Sequence, residues 1–141
     1  MKKTISMYIH PSTEEEISRR GDNRSHVINR DLERLYTLYR RAIREVPLTE
    51  SEACLIVDAL NGSLYDAQSA PMLWASIQDA ITLDGLAAKW RVDGAALVEK
   101  LRALSAFQSM ALVDAAERFW SLPAESRDRD ADIRKLFNVM I

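Results

Sequence analysis

TISMYIHPSTEEEISRRGDNRSHVINRDLERL, residues 4–35, carries the pattern from which the architecture is read. Residues 4–10 alternate with period two. Ile5, Met7 and Ile9 face one way, and Thr4, Ser6, Tyr8 and His10 the other, as in a half-buried strand. Pro11 cannot donate to a ladder and ends that strand. Ser12 and Glu15 have capping-box spacing, and Glu14, Glu15 and Glu16 favour the positive end of a helix dipole, so a helix is expected over about 12–20. Gly21 stops it, and Asn23 caps a second helix. The apolar positions Ile28, Leu32, Leu35, Tyr39 and Ile43 recur at spacings of three and four along that helix. Pro47 pushes Val46 out of helical geometry and closes it.

A lone strand leaves its backbone groups without a ladder, and fewer than about 50 residues bury too little apolar surface to fold alone. The expected remedy is self-pairing with a second copy, giving a homodimer or higher oligomer.

The order strand, short helix, Gly turn, capped long helix resembles the ribbon-helix-helix (Arc/methionine-repressor-like) DNA-binding family over residues 1–46. The segments that carry the likeness are GDNRSHVINRDLERL (21–35) and ISMYIHPSTEEEI (5–17). The resemblance implies an intertwined dimer whose two-stranded ribbon lies in the major groove of double-stranded DNA. It further implies that Thr4, Ser6 and Tyr8 face base edges, that Lys2 and Lys3 flank the ribbon, and that Asn23, Arg24 and Ser25 hold a backbone phosphate. Thr, Ser and Tyr read bases less sharply than Arg or Asn, so sequence preference should be modest or lean on DNA shape.

After Val46 every signal is helical. Thr49 and Glu52 form a second capping-box pattern, opening a helix that ends near Asn61-Gly62. Pro71 suits the first turn of a helix to about Leu83, short helices follow at about 85–91 and 94–104, and Ser105 caps another to Ser121. Residues 124–130 (AESRDRD) read as a solvated loop, and DIRKLFNVMI as a short final helix. Residues 86–101 (LAAKWRVDGAALVEKL) resemble a helix-turn-helix. However, Arg91 stands at the turn position that glycine usually holds, and Gly94-Ala95-Ala96 offers no donor to a base edge, so a plain αα-hairpin is expected.

The expected class is therefore mainly α: a ribbon-helix-helix module (1–46) followed by an all-α helical domain (47–141). Residues 1–46 hold ten Lys/Arg against seven acids, and 47–141 hold nine against fourteen, within a net charge of −2. A basic first third suggests a polyanionic partner there, and an acidic remainder suits oligomerisation, an effector or a partner protein. Apolar residues at 48 % and charged residues at 28 % match a soluble globular chain. The start MKKTISMYIHP lacks the apolar run of a signal peptide, and Asp58 and Asp79 break the longest apolar stretches, so a cytoplasmic protein with no membrane span is expected.

Cys54 lies in ACLIVDAL and reads as a small core residue. Only His10 and His26 join it as soft ligands, so no metal site and no cofactor is expected. No phosphate-cradling glycine loop and no nucleophile–base pair is legible, which argues against an enzyme. Asp128, Asp130 and Asp132 alternate with Arg127, Arg129 and Arg134 as on a solvated surface rather than a calcium loop. Trp74, Trp90 and Trp120 are expected in a core. The function expected is a DNA-binding transcriptional regulator of repressor type. The alternatives are an antitoxin-type interaction protein whose helical domain binds a partner, or a plasmid transfer or partition accessory.

Overall fold

The computed structural model describes residues 10–20, 24–61, 70–82 and 85–140. The chain forms two compact units, Met1–Thr37 and Leu38–Ile141.

In the first unit, α1 spans Pro11–Arg20 and α2 begins at Arg24, running to Arg44 across the boundary. Pro11 is the first helical residue, where its missing N–H costs nothing. The cap is His10: its carbonyl accepts from Glu14 N at 3.0 Å and its Nδ1 from Ser12 N at 3.3 Å. Ser12 therefore sits inside the first turn, its hydroxyl 2.7 Å from His10 Nδ1, and is not the cap of a Ser12–Glu15 box. Glu15 instead pairs forward with Arg19 at 2.8 Å.

The ribbon-helix-helix reading is corrected here. Every named element among the described residues is helical, and none is a strand, which that fold requires. Residues 4–9 of the expected strand lie outside the described residues. Alternation over seven residues specifies a face but does not by itself supply a backbone partner. The β-type pairing that does occur is an isolated parallel bridge between Leu48 and Val139.

The second unit is built around α3 (Glu50–Leu60). Ala53, Cys54, Leu55, Ile56, Val57, Ala59 and Leu60 are all buried, so the helix is apolar on every side and belongs at the centre. Its start is fixed by the expected capping box: Glu52 N donates to Thr49 Oγ1 at 3.1 Å, and Thr49 N to Glu52 Oε1 at 2.9 Å. Around it pack α4 (Ala70–Thr82), α5 (Leu86–Trp90), α7 (Ala106–Ser121) and α8 (Arg129–Leu136), while α6 (Gly94–Arg102) lies on α4. Ser105 caps α7 through Gln108 N at 3.1 Å, and Gln108 returns its side chain to Ser105 N at 2.9 Å.

Ala42, Ile43 and Val46 are buried in this unit, which runs from Leu38. The end of α2 contributes apolar surface to the core.

The αα-hairpin expected at 86–101 is present as α5–turn–α6, with Arg91 at φ 54°, the left-handed region. An arginine there is strained where glycine would not be. Asp93 caps α6 through Ala96 N at 3.1 Å. The small residue Gly94 has a packing reason, since a Cβ there would stand 2.9 Å from Ile81 Cγ2.

Residues 124–130 depart from the solvated loop expected of them. A 3-10 turn, Ala124–Ser126, leads into α8, which Asp128 caps. Arg127 stacks 4.9 Å over the Trp120 ring and 5.2 Å over Phe119, and donates to Leu122 O at 2.8 Å. After α8, Leu48 N donates to Asn138 O at 3.0 Å and Met140 N to Leu48 O at 2.7 Å, which ties the last turn of chain to the start of the unit. No helix among the described residues is long and apolar enough to cross a membrane.

Gly94→Ala should destabilise the second unit by about 1–3 kcal/mol in urea unfolding, because the new methyl over-packs Ile81. In an Ile81→Ala background the same change should cost markedly less; equal costs in both backgrounds would remove the close approach as the cause.

Candidate functional site

Of the residues expected to meet DNA, Lys2, Lys3, Thr4, Ser6, Tyr8 and Asn23 lie outside the described residues. Arg24 and Ser25 are the first two residues of α2, with Ser25 exposed. Their N–H groups belong to the first turn, where a helix leaves its donors unpaired. These two are the only members of the expected set that the structure brings together.

The rest of α2 is more informative. In the first unit, Ile17 and Val27 are the buried apolar residues among those described, while Leu32 is 38 % exposed and Tyr36 42 %. Ile28 and Leu35 are half-buried on the same stripe. That stripe is apolar and partly uncovered. Arg34 in the first unit, and Arg40, Arg41 and Arg44 in the second, are exposed, and no described carboxylate lies within ion-pair distance of them. Tyr39 packs its ring 5.0 Å from Phe107 and anchors the later part of the helix.

A second polar constellation centres on Asp58, the one carboxylate within the apolar run of α3. Oδ2 accepts from Trp90 Nε1 at 2.8 Å and from Lys89 Nζ at 3.3 Å, and Oδ1 accepts from Arg129 at 2.7 Å. Burial would push this carboxyl up. The hydrogen bonds from Arg129, Trp90 and Lys89, with the Arg129 charge, outweigh burial and hold it below the usual carboxylate range. Every partner is a donor and both oxygens are engaged, so the group ties helices together. Trp74 and Trp120 are satisfied likewise, donating to Leu101 O at 3.2 Å and Val57 O at 2.9 Å.

Burial pushes the Cys54 thiol up, which keeps it protonated and unreactive. Glu117 is also raised, first by burial and then by neighbouring Asp114. Among the described residues no group of His, Cys, Asp or Glu is disposed to hold a metal ion.

Two concavities mark the second unit. A shallow apolar groove of about 500 Å³ runs between α4 and α6, past Ile81, Gly94, Ala95 and Val98. A more polar cleft of about 340 Å³ lies among the ends of α2, α7 and α8, where Arg40, Arg44, Arg118 and Lys135 line one space. The cleft draws its residues from positions 40 to 138, and no local sequence signal joins them. Comparison with family models, with curated proteins and with solved structures finds no match to this chain.

Asp58 is ionised to lower pH in the folded chain than in the unfolded one. Its stabilisation is thus complete above the unfolded carboxylate value and is lost as the pH falls through the depressed folded value. Acid unfolding followed by tryptophan fluorescence should show this limb, and Asp58→Asn should flatten it while lowering stability at pH 7 by about 2 kcal/mol. An unchanged acid limb in Asp58→Asn would place the acid sensitivity elsewhere.

Proposed function

We propose that this chain is a non-catalytic, DNA-binding regulator of transcription that works as a homodimer, with α2 as the element that serves both roles. The observation carrying this reading is the division of α2. One stripe is apolar and partly uncovered, with Leu32 and Tyr36 exposed and Ile28 and Leu35 half-buried, while Arg34, Arg40, Arg41 and Arg44 stand exposed without a described carboxylate. Like charges four residues apart, as at Arg30 and Arg34 and at Arg40 and Arg44, are unfavourable on a helix surface. Arginines left unmatched in a chain of net charge −2 support a polyanionic partner. Phosphate contacts from such a surface give affinity and little sequence preference.

A second copy is the occupant that best fits the apolar stripe. Among the described residues of the first unit only Ile17 and Val27 are buried apolar side chains, little core for a unit of this size. The rim of the stripe carries both signs, with Arg30 and Arg34 beside Asp31 and Glu33, so antiparallel copies can set unlike charges opposite each other.

A second reading, an interaction protein whose helical unit holds a partner protein, is supported by the apolar groove between α4 and α6. Ala95 is exposed on that groove, so Ala95→Arg would fill it. On the first reading this variant keeps both DNA binding and repression of a reporter. On the second it loses its effect in cells with DNA binding intact.

Mobility shifts of full-length protein on a random-sequence duplex, run across a salt series, test the main reading. Arg34→Gln and Arg41→Gln should each weaken binding to every sequence alike and reduce the slope of log K against log salt by about one. Absence of any shift at about 50 mM salt, where phosphate binding is strong, would end the proposal. Leu32→Glu should convert a sedimenting dimer to monomer; a wild-type chain that sediments as a folded monomer at micromolar concentration would remove the homodimer.

A further inference from the structure

We infer that the cleft among the ends of α2, α7 and α8 is a binding site for a small phosphorylated organic anion. Arg40, Arg44, Arg118 and Lys135 line a space of about 340 Å³, with the buried ring of Phe137 in its wall. Only Arg118 has an acidic partner: Asp114, itself 8 % exposed, accepts from its Nη2. That bond uses one of five guanidinium donors and fixes the orientation of the group. Asn138 Nδ2 donates to Arg44 O at 2.7 Å, which fastens the last turn of α2 to the chain after α8. The remaining three cations have no carboxylate among the described residues.

Helix dipoles supply the competing explanation. Arg44, Arg118 and Lys135 each stand in the last turn of their helix, where a cation is favoured. A helix C-terminus is worth roughly −0.5 charge. Three such ends together with Asp114 offset less than three of the four positive charges. Arg40 lies a turn before the end of its helix and gains least. The cleft therefore stays positive by more than one charge, and its cations repel one another unless an anion enters.

The size and wall of the space set the ligand class. An orthophosphate ion would leave most of the volume empty, and Phe137 gives an organic portion an apolar surface. Arginines that bind forked oxygens, together with a lysine point charge, suit a phosphoryl dianion. A duplex backbone presents one charge per phosphate spread along its axis and does not fill a recess of this size. The cleft shares Arg40 and Arg44 with the proposed DNA-binding surface but requires neither dimerisation nor Arg34 and Arg41.

Calorimetric titration of the full-length protein at constant ionic strength tests it with three probes: inorganic pyrophosphate, a sugar phosphate, and a short DNA duplex. Pyrophosphate and the sugar phosphate should bind saturably with one site per chain. Arg40→Gln and Lys135→Gln should each weaken them at least tenfold. Both side chains are exposed, and both variants should retain the wild-type circular dichroism. At low salt the free variants should melt at or above the wild-type temperature, since each relieves like-charge repulsion; a merely structural role for Lys135 predicts a lower melting temperature. No saturable binding of either small anion up to about 10 mM, well beyond the millimolar range of weak specific sites, overturns the inference. So does small-anion binding that neither substitution weakens, or duplex binding alone that depends on these residues.

Discussion

A carboxylate set into an apolar helix fixes how two neighbouring helices meet the centre of the second unit. Asp58 interrupts α3, which is otherwise buried on every side, and its two oxygens take donors from Lys89, Trp90 and Arg129. An apolar residue at 58 would offer α5 and α8 non-directional burial in place of these bonds. The carboxylate fixes both helices at once, and Arg129 also lies 5.4 Å over the Trp90 ring, so the two donors support each other. Burying one charge is tolerable only because each oxygen is satisfied and two cations balance it.

The polar ties at the edge of this unit follow the same logic. Lys100 reaches Glu52 at 3.0 Å and Pro47 O at 3.1 Å, Arg134 reaches Glu50 at 3.1 Å, and Gln108 reaches Glu45 at 3.0 Å. Exposed pairs of this kind are each worth about 0–1 kcal/mol. They define where the start of α3 and the end of α2 sit without supplying much stability. The result is that the end of α2 is held by apolar burial of Ala42 and Ile43 while its arginines face outward. The cationic cleft depends on that orientation.

Signals that act within about one helical turn are legible in the sequence, and contacts between distant positions are not. The Thr49–Glu52 and Ser105 caps, the stop near Asn61, the break before α5 and the buried Cys54 are all set by residues within four positions of each other or by composition. Ser12 misled because Pro11 moved the helix start one residue earlier and passed the cap to His10. The Asp58 network was invisible because Trp90 and Arg129 stand 32 and 71 positions away. The sole trace was a lone Asp in ACLIVDAL, which reads equally well as a break in a membrane-like run. Arg127 and Arg129 looked solvated because alternating charges are the mark of a loop; the aromatic rings that hold them come from other helices. The period-two pattern at residues 4–10 set an expectation of a strand that the described residues do not extend, and the family resemblance built on it fell with it.

The two units differ in how they can hold themselves together, and α2 joins them by continuity. The second has a contiguous core from Ile43 to Phe137, enough to fold as an independent unit. The first buries Ile17 and Val27 among its described residues and leaves Leu32 and Tyr36 largely exposed. Nucleating an isolated helix is unfavourable, whereas extending one already formed adds a hydrogen bond for each residue fixed. Ala42, Ile43 and the Tyr39–Phe107 contact nucleate the far end of α2 within the second unit. Extension back toward Arg24 is then a matter of propagation, aided by Leu, Arg and Glu, which are good helix formers. Propagation alone places an apolar stripe in water, and that stripe costs free energy until something covers it. Helix order in the first unit and coverage of Leu32 and Tyr36 are therefore coupled quantities. Whatever binds the stripe also stabilises the helix that presents Arg34, so association and presentation of the basic surface rise and fall together.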